Sequence, residues 1–258
     1  MEKAPTLDYR GRPPVDTDAK SPPFTWHYVL PFAVFMVFVF LGGHFKEYFP
    51  YAYVARTVIV GAILLVLWKF FTRVSWSNWQ LGVIVGVVGV FQWVGMESLL
   101  ILWREQLDKT TVFGWIIHNT SLMSVDEKGF IIPDEIPSPL WMWAFIMVRW
   151  AGASLVVPVM EELFWRDWLW RNLAAPTNFK LVKVGEYDRT SFWLIPVIFA
   201  LVHVQWLTAI VWALMIAWLL VKTRSIGACI IAHGVTNFLL GAYVLAMWQA
   251  GTPVWYFW

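Results

Sequence analysis

Charged residues are scarce in this chain. Asp, Glu, Lys and Arg make up 14% of its 258 residues, against about 25% in an average soluble domain. Hydrophobic residues make up 59% and are grouped in long blocks. The simplest interpretation is an integral membrane protein that crosses the bilayer several times.

Cysteine is almost absent, and so are several recognisable motifs. Cys229 is the single cysteine, so no internal disulfide can form, and its apolar surroundings predict a small buried side chain. No basic run, glycine-rich phosphate loop or nucleic-acid motif is present, so we expect no nucleic-acid partner.

Residues 1–24 are polar and rich in proline, unlike a cleavable signal peptide. We therefore predict that the first span is an uncleaved anchor.

Long hydrophobic segments make up most of the chain. They predict an all-α fold, a polytopic membrane bundle of about seven or eight transmembrane helices. The fifth segment is shorter than the ~20 residues that an upright span needs. The 20 Trp residues are expected mainly at the membrane–water interface, where an indole ring is favoured. The seven segments run over residues 28–43, 53–71, 80–103, 140–171, 191–204, 205–222 and 227–248.

The loops divide the chain and suggest its orientation. With the N-terminus in the cytoplasm, that side collects more Lys and Arg than the other, which predicts a multi-pass protein of the cell (inner) membrane with a cytoplasmic N-terminus. The predicted parts are a flexible polar tail 1–24, an N-terminal transmembrane region 25–139 with a polar loop 104–139, a core 140–248 and a tail 249–258.

Three polar clusters interrupt the later hydrophobic segments. A charged residue at the bilayer centre costs about 2.5–3.5 kcal/mol on insertion scales, so each cluster needs a structural or chemical reason. Within each cluster key residues are four positions apart, which predicts one shared helix face. A rise of ~1.5 Å per residue places all three at a similar depth in the cytoplasmic half. The clusters are Glu161, Glu162 and Arg166; Phe199 and His203; and His233 and Asn237.

The two carboxylates of the first cluster have different predicted roles. Glu162 precedes Arg166 by one turn, the favourable order for an ion pair, whereas Glu161 is rotated by about 100° and is free to point elsewhere. Contrasting environments are how proteins separate a base from a structural anion. Glu161 is therefore predicted to activate water, with His203 sharing that water or carrying its proton.

The third cluster adds hydrogen-bond donors. His233 and Asn237 can donate to a developing oxyanion, an effect worth about 2.7–4 kcal/mol per donor in a hydrolase. Together the clusters are sufficient for amide hydrolysis by activated water, without a Ser or Cys nucleophile. The sequence lacks the His-Glu-x-x-His motif, the Gly-x-Ser-x-Gly elbow and a Gly-x-Gly-Asp motif, so other designs of intramembrane protease are not supported.

Other interpretations compete with hydrolysis. Intramembrane His and Asn side chains often only hold helices together, at about 0.6 kcal/mol each, and a Glu–Arg pair can be purely structural. A non-catalytic immunity factor or scaffold would keep the motif for stability. A transporter that binds an ion at its polar centre is a third interpretation, but we see no inverted repeat in the sequence.

At these residues the sequence resembles the CPBP (CAAX protease and bacteriocin-processing) family of intramembrane proteases, which includes bacterial Abi proteins and CAAX prenyl endopeptidases. Glu161-Glu162-x-x-x-Arg166, Phe199-x-x-x-His203 and His233-x-x-x-Asn237 occur in order and with the internal spacing of the family. The resemblance covers about residues 140–248, which we interpret as the protease core.

The resemblance implies a helical membrane fold with a cavity open to the cytoplasmic side and laterally to lipid. It implies an intramembrane endopeptidase that cuts near the cytoplasmic membrane face, on a peptide or protein substrate that can be lipidated or membrane-anchored. By carry-over, Glu161 is the base with His203 as its partner, Glu162 and Arg166 form the supporting pair, and His233 and Asn237 form the oxyanion site.

The resemblance leaves the use of a metal open. Family members have been described both as metalloproteases and as metal-independent glutamate proteases. We favour the metal-free mechanism. Glu161, His203 and His233 could instead bind zinc in a His₂Glu arrangement.

Overall fold

The computed structural model describes residues 25–106, 110–112, 114–115 and 136–257. The predicted tail 1–24 and most of the polar loop 104–139 lie outside these residues. Within the described ranges the chain is helical and contains no strand, so the predicted all-α membrane bundle is confirmed.

Seven helices of 13 residues or more form the described part of the bundle. Six of them are long and apolar enough to cross a membrane, and α5 is the short one, as the fifth sequence segment predicted. In chain order they are α1 (Trp26–His44), α2 (Phe49–Leu67), α3 (Trp79–Gln106), α4 (Pro139–Ala174), α5 (Arg189–Leu201), α6 (Trp206–Thr223) and α7 (Ile226–Gln249).

Local sequence explains where several helices begin. The Ser138 side chain accepts a bond from the Trp141 N–H, and Pro139 occupies the first turn of α4. Asp188 and Ser225 cap α5 and α7 in the same way. A cap oxygen satisfies one of the free N–H groups of a first helical turn, and proline lacks the N–H that this turn cannot use.

Three loops meet at one end of the bundle, which we call the Ser75 end. The Ser75 carbonyl accepts bonds from the Ser225 hydroxyl at 2.7 Å and from the Gly227 N–H at 3.0 Å. The Arg171 guanidinium, near the end of α4, donates to the Thr72 hydroxyl at 2.7 Å. The charge distribution assigned these loops to the cytoplasm. The opposite end, where α4 begins and α7 finishes, is the Pro139 end.

Helices α5 and α6 form an antiparallel pair. A Cβ added to Gly185, just before α5, would lie 2.5 Å from the Leu220 carbonyl oxygen and 2.8 Å from the Arg224 Cα, at the end of α6. The start of α5 and the end of α6 are therefore close together, near the Ser75 end. In the turn between the two helices, Gln205 is buried and accepts a bond from the Trp93 indole at 2.6 Å.

Glycines bring α3 close to α7. A Cβ on Gly82 would lie 2.5 Å from the Ala228 carbonyl oxygen, and one on Gly86 would lie 2.6 Å from that of Ala232. Small residues let the backbones of membrane helices approach closely and pack tightly. Because α7 carries His233, this contact fixes the position of a predicted site residue.

Replacing Gly86 by alanine should therefore destabilise the protein. The added methyl group forces α3 away from α7, and overpacking of this kind costs typically 1–3 kcal/mol. Gly95→Ala on the same helix is the matched control, since nothing lies within 4 Å of its added Cβ. The measurement is the free energy of unfolding in detergent micelles, and equal losses in the two variants would contradict the proposed packing.

Candidate active site

Helix α4 carries the first motif where regular and distorted helix meet, with Glu161 and Glu162 in a regular segment and Arg166 in a distorted one. Gly152–Val156 and Leu163–Leu169 are π-helical, and Val157–Glu162 between them is regular α-helix. Insertions of this kind are rare and occur frequently at functional sites. Glu161 and Glu162 thus lie immediately before a distorted segment, and the helical rotation of about 100° between neighbouring residues directs the two carboxylates towards different surroundings.

The Glu162 carboxylate is the centre of a buried network. Its Oε1 accepts a bond from Arg166 Nη1 at 3.0 Å and from His233 Nδ1 at 2.9 Å. Glu162 and Arg166 are almost completely excluded from solvent. The predicted ion pair is present, and the structure adds a third member from α7.

The bond to Glu162 decides which atom His233 presents to the cavity. A carboxylate can only accept, so His233 Nδ1 carries the proton and Nε2 is directed elsewhere. The Trp212 ring lies against the imidazole with ring centroids 4.7 Å apart. To donate from Nε2 to an oxyanion, the imidazole must carry a proton on each nitrogen.

His203 lies beyond the end of α5, which is a difference from the sequence interpretation. The spacing predicted one helix face for Phe199 and His203, but α5 finishes at Leu201. The His203 N–H bonds to the Ala200 carbonyl at 3.0 Å, and Nδ1 bonds to the Phe199 carbonyl at 2.8 Å. In a continuing helix the backbone N–H of His203 would donate to the Phe199 carbonyl. Here the His203 side chain bonds to that carbonyl instead. Its Nε2 remains free for a ligand or water.

The Phe199 ring connects the first two motifs. The Arg166 guanidinium carbon lies 4.7 Å from its centroid, and the His203 ring stacks on it at 4.2 Å. The Trp212 ring stacks at 5.6 Å. A cation over an aromatic face is stabilised, more so when desolvated, so Phe199 supports both Arg166 and His203.

Asn237 is bound to the distorted part of α4. Its Nδ2 donates to the Ala153 carbonyl at 2.8 Å. Residues in a π-helical stretch leave carbonyls available for other donors, because the regular i→i−4 ladder is interrupted. One amide hydrogen of Asn237 is thus committed to structure, and the second is available for the predicted oxyanion role.

A single cavity of about 230 Å³ contains most of the predicted site. Glu161, His203, His233 and Asn237 all line it, together with the Phe199 ring. Glu161 is 5% exposed, and among the described residues its Oε2 has no hydrogen-bond partner. The sequence therefore selected residues from three helices and a turn that the fold places around one space. Their catalytic roles stay predictions.

The cavity extends from the motifs towards the Pro139 end. Arg149, Trp150 and Ala153, all nearer the start of α4 than Glu161, belong to its lining, as does Gly241 in the second half of α7. Under the orientation that the charges predict, this direction leads away from the cytoplasm. An opening on the cytoplasmic side stays a prediction.

Several lining residues were not selected by the sequence analysis. Four aromatic residues come from elements without a motif, and the others lie on α4 and α7 outside the polar clusters. The indole of Trp150, which donates to the Phe238 carbonyl at 2.9 Å, would contact a Cβ at Gly241 at 2.6 Å. This close contact explains why the residue at 241 is glycine. The lining residues outside the predicted set are Tyr53, Trp93, Arg149, Trp150, Ala153, Val157, Trp212, Leu240, Gly241 and Phe257.

A zinc site is not preformed in the described part of the chain. No group of three His, Cys, Asp or Glu side chains there is arranged to hold a metal ion. Glu161, His203 and His233 line the same cavity without forming such a group.

Comparison with known proteins gives a family for the core. Residues 141–239 match the family model described as type II CAAX prenyl endopeptidase Rce1-like. This segment is Rce1-like. The match covers less than half of the chain, but it includes all three motifs, and it confirms the family resemblance read from them.

Two curated proteins share a shorter similarity. GPI mannosyltransferase 3 of Trypanosoma brucei brucei is 30% identical over 105 residues, which are 37% of this chain and 19% of that protein. The protein of the same name from strain 927/4 GUTat10.1 gives the same values. The chain thus spans about a fifth of the length of these relatives. No solved structure matches the chain significantly.

Arg166→Ala should unfold the core more readily than any exposed substitution. It removes one of two partners of a fully buried carboxylate, and breaking a buried ion pair costs about 3–5 kcal/mol. Unfolding in detergent micelles, followed by circular dichroism, measures the loss. The matched control is Arg73→Ala, at an exposed loop position, with an expected effect within about 0.5 kcal/mol. Similar stability of the two variants would show that the Glu162 network is not structural.

Proposed function

We propose that the protein is an intramembrane endopeptidase in which Glu161 activates a water molecule to hydrolyse a peptide bond. The observation that carries this proposal is the buried Glu161 oxygen without a partner, in a cavity that also contains two imidazoles and an amide. A buried, unsatisfied carboxylate oxygen is destabilising. Its retention beside other polar groups is explained if it binds water and substrate.

Water activation uses the two groups that the fold leaves accessible. A water molecule donates one hydrogen bond to Glu161 and one to Nε2 of neutral His203. The hydrogen bond between His203 Nδ1 and the Phe199 carbonyl holds the imidazole ring in this orientation. Glu161 takes a proton as the water oxygen attacks the peptide carbonyl carbon. The same proton then passes to the leaving nitrogen as the C–N bond breaks, so Glu161 ends the cycle unprotonated.

Stabilisation of the tetrahedral intermediate falls to the third motif. Doubly protonated His233 donates from Nε2, and the second amide hydrogen of Asn237 is directed to the same oxygen. Preorganised donors in a water-poor site stabilise a developing oxyanion strongly. Glu162 and Arg166 act indirectly, because they hold the His233 ring and its charge in place.

The substrate is proposed to be a peptide or protein held at the membrane, and a lipid-anchored one is compatible with this placement. Glu161 is 13 residues before the end of α4 at Ala174, which corresponds to ~20 Å along a helix. With the Ser75 end in the cytoplasm, the cut bond lies nearer the cytoplasmic end of α4 than its other end, because Pro139 is 22 residues before Glu161. This sidedness depends on the charge-based orientation.

Glu161→Gln tests the proposal directly. The variant keeps the size and burial of the side chain but cannot take a proton, so we expect loss of cleavage by at least ~100-fold, as for a general base. Wild type and variant, purified in full length and reconstituted in lipid, are incubated with a peptide library, and products are identified by mass spectrometry. Cleavage at the wild-type rate by a folded Glu161→Gln protein would exclude this mechanism.

The same assay with a chelator distinguishes the metal-free mechanism from a zinc-dependent one. A mechanism based on Glu161 and His203 predicts unchanged cleavage after exhaustive treatment with a zinc chelator. Loss of cleavage that added zinc restores would instead support the His₂Glu arrangement. Unfolding of both samples is followed in parallel, so that a structural effect of the chelator is recognised.

A further inference from the structure

One side chain, that of Gln205, connects the turn that carries His203 to two other parts of the bundle. Gln205 is buried and lies two positions after His203, at the start of α6. Its Oε1 accepts a bond from the Trp93 indole at 2.6 Å, and its Nε2 donates to the Tyr256 carbonyl at 3.1 Å. The amide therefore connects the turn to α3 on one side and to the segment Trp255–Phe257 on the other.

The Gln205 side chain does not serve the helix that it begins. Gln205 occupies the N-cap position of α6, and among the described residues its side chain makes no capping bond. Ser, Thr, Asn and Asp usually fill this position, because their short side chains bond to the first turn. A departure from such a local preference indicates that contacts distant in the chain determine the residue.

The two partners of Gln205 require the chemistry of an amide. The indole N–H of Trp93 can only donate, and the carbonyl of Tyr256 can only accept. A side chain that bonds to both must offer one acceptor and one donor, which the glutamine amide does. Trp93 and Tyr256 lie outside residues 141–239, so the family match assigns neither bond.

Both bonds of Gln205 lead to the lining of the cavity. Trp93 is a lining residue, and its ring makes an edge contact with the His203 ring, with centroids 6.3 Å apart. The Tyr256 carbonyl belongs to the peptide group that precedes Phe257, a second lining residue. A single buried amide thus links His203, Trp93 and Phe257 around the cavity.

We propose that Gln205 is a positioning residue that keeps the proton of His203 on Nδ1 and leaves Nε2 to the water that Glu161 activates, an inference that rests on the proposed function. His203 Nδ1 bonds to the Phe199 carbonyl at the end of α5, and this bond depends on the position of the turn. The bond made by one ring nitrogen decides which nitrogen of a neutral imidazole carries the proton. Without the Gln205 bonds the turn is released, and a proton on Nε2 prevents that atom from accepting a bond from water.

The tautomer of His203 tests this role without any cleavage. Full-length protein with isotope-labelled histidine is reconstituted in lipid nanodiscs and studied by NMR at neutral pH, and the signals that disappear in His203→Ala are those of His203. We expect the proton on Nδ1 in wild type. In Gln205→Met, whose side chain has a similar length but no amide, we expect it mainly on Nε2.

Gln92→Met is the matched control. The Gln92 amide also connects α3 to α6, because it donates to the Thr208 carbonyl at 3.3 Å, but Gln92 is outside the described cavity lining. The tautomer and the cleavage rate of wild type should both persist in this variant. In folded Gln205→Met, kcat should fall about ten- to a hundredfold, because a displacement of ~1 Å in a catalytic group can cost that much.

Trp93→Phe provides a second test that does not require Gln205→Met to fold. It removes the indole bond to Gln205 and retains an aromatic ring in the lining, so we expect a mixture of the two His203 tautomers. Trp170→Phe is its matched control. The Trp170 indole donates to the Glu186 carbonyl at 2.9 Å and is outside the described lining, so the wild-type tautomer should persist.

The possible outcomes separate this inference from the proposed function. A proton on His203 Nε2 in wild type, an unchanged tautomer in the folded Gln205→Met or Trp93→Phe protein, or an equal change in the two controls would overturn the role of Gln205. Cleavage by folded Gln205→Met at the wild-type kcat would do the same and would leave the protease intact. The expected tautomer change without any cleavage by wild type would support the positioning of His203 and contradict the protease.

Discussion

One carboxylate organises the core of this protein. Glu162 is buried completely, and it accepts hydrogen bonds from Arg166 on its own helix and from His233 on α7. An anion in a membrane interior is tolerated only with compensating partners. The bond between Glu162 and His233 therefore connects α4 to α7 at a fixed level and orientation. It also determines which nitrogen of His233 faces the cavity.

The surrounding packing is consistent with that constraint. The rotation of about 100° between neighbouring helical residues places the two glutamates in different environments. The Ala153 carbonyl, in the first π-helical stretch of α4, accepts from Asn237 because the Val157 N–H bonds to Gly152 and Pro158 has no N–H. The glycines of α3 allow α7 to approach to backbone contact. Phe199 supports Arg166 on one side and His203 on another. Among the described residues, Glu161 Oε2, Glu162 Oε2 and Arg166 Nη2 are buried without a hydrogen-bond partner, and of these three residues Glu161 lines the cavity.

The distribution of charge along α4 gives the cavity a direction. Glu161 lies beside the imidazoles, and Arg149 lies three turns earlier on the same helix among aromatic rings. Glu161 and Arg149 belong to one helix, so the distance between them is determined by helix geometry and not by flexible loops.

Local patterns in the sequence determined the helical class, the short fifth segment, the Glu162–Arg166 pair and the set of motif residues. Hydrophobic length and four-residue spacing depend only on neighbours in the chain. Tertiary structure alone decided that His233 bonds to Glu162, that His203 caps the end of α5, and that Arg149 shares a cavity with Glu161. Those contacts depend on how helices cross, on competition for the Phe199 carbonyl, and on packing between residues distant in the chain. The spacing of residues along the sequence carries no information on any of these.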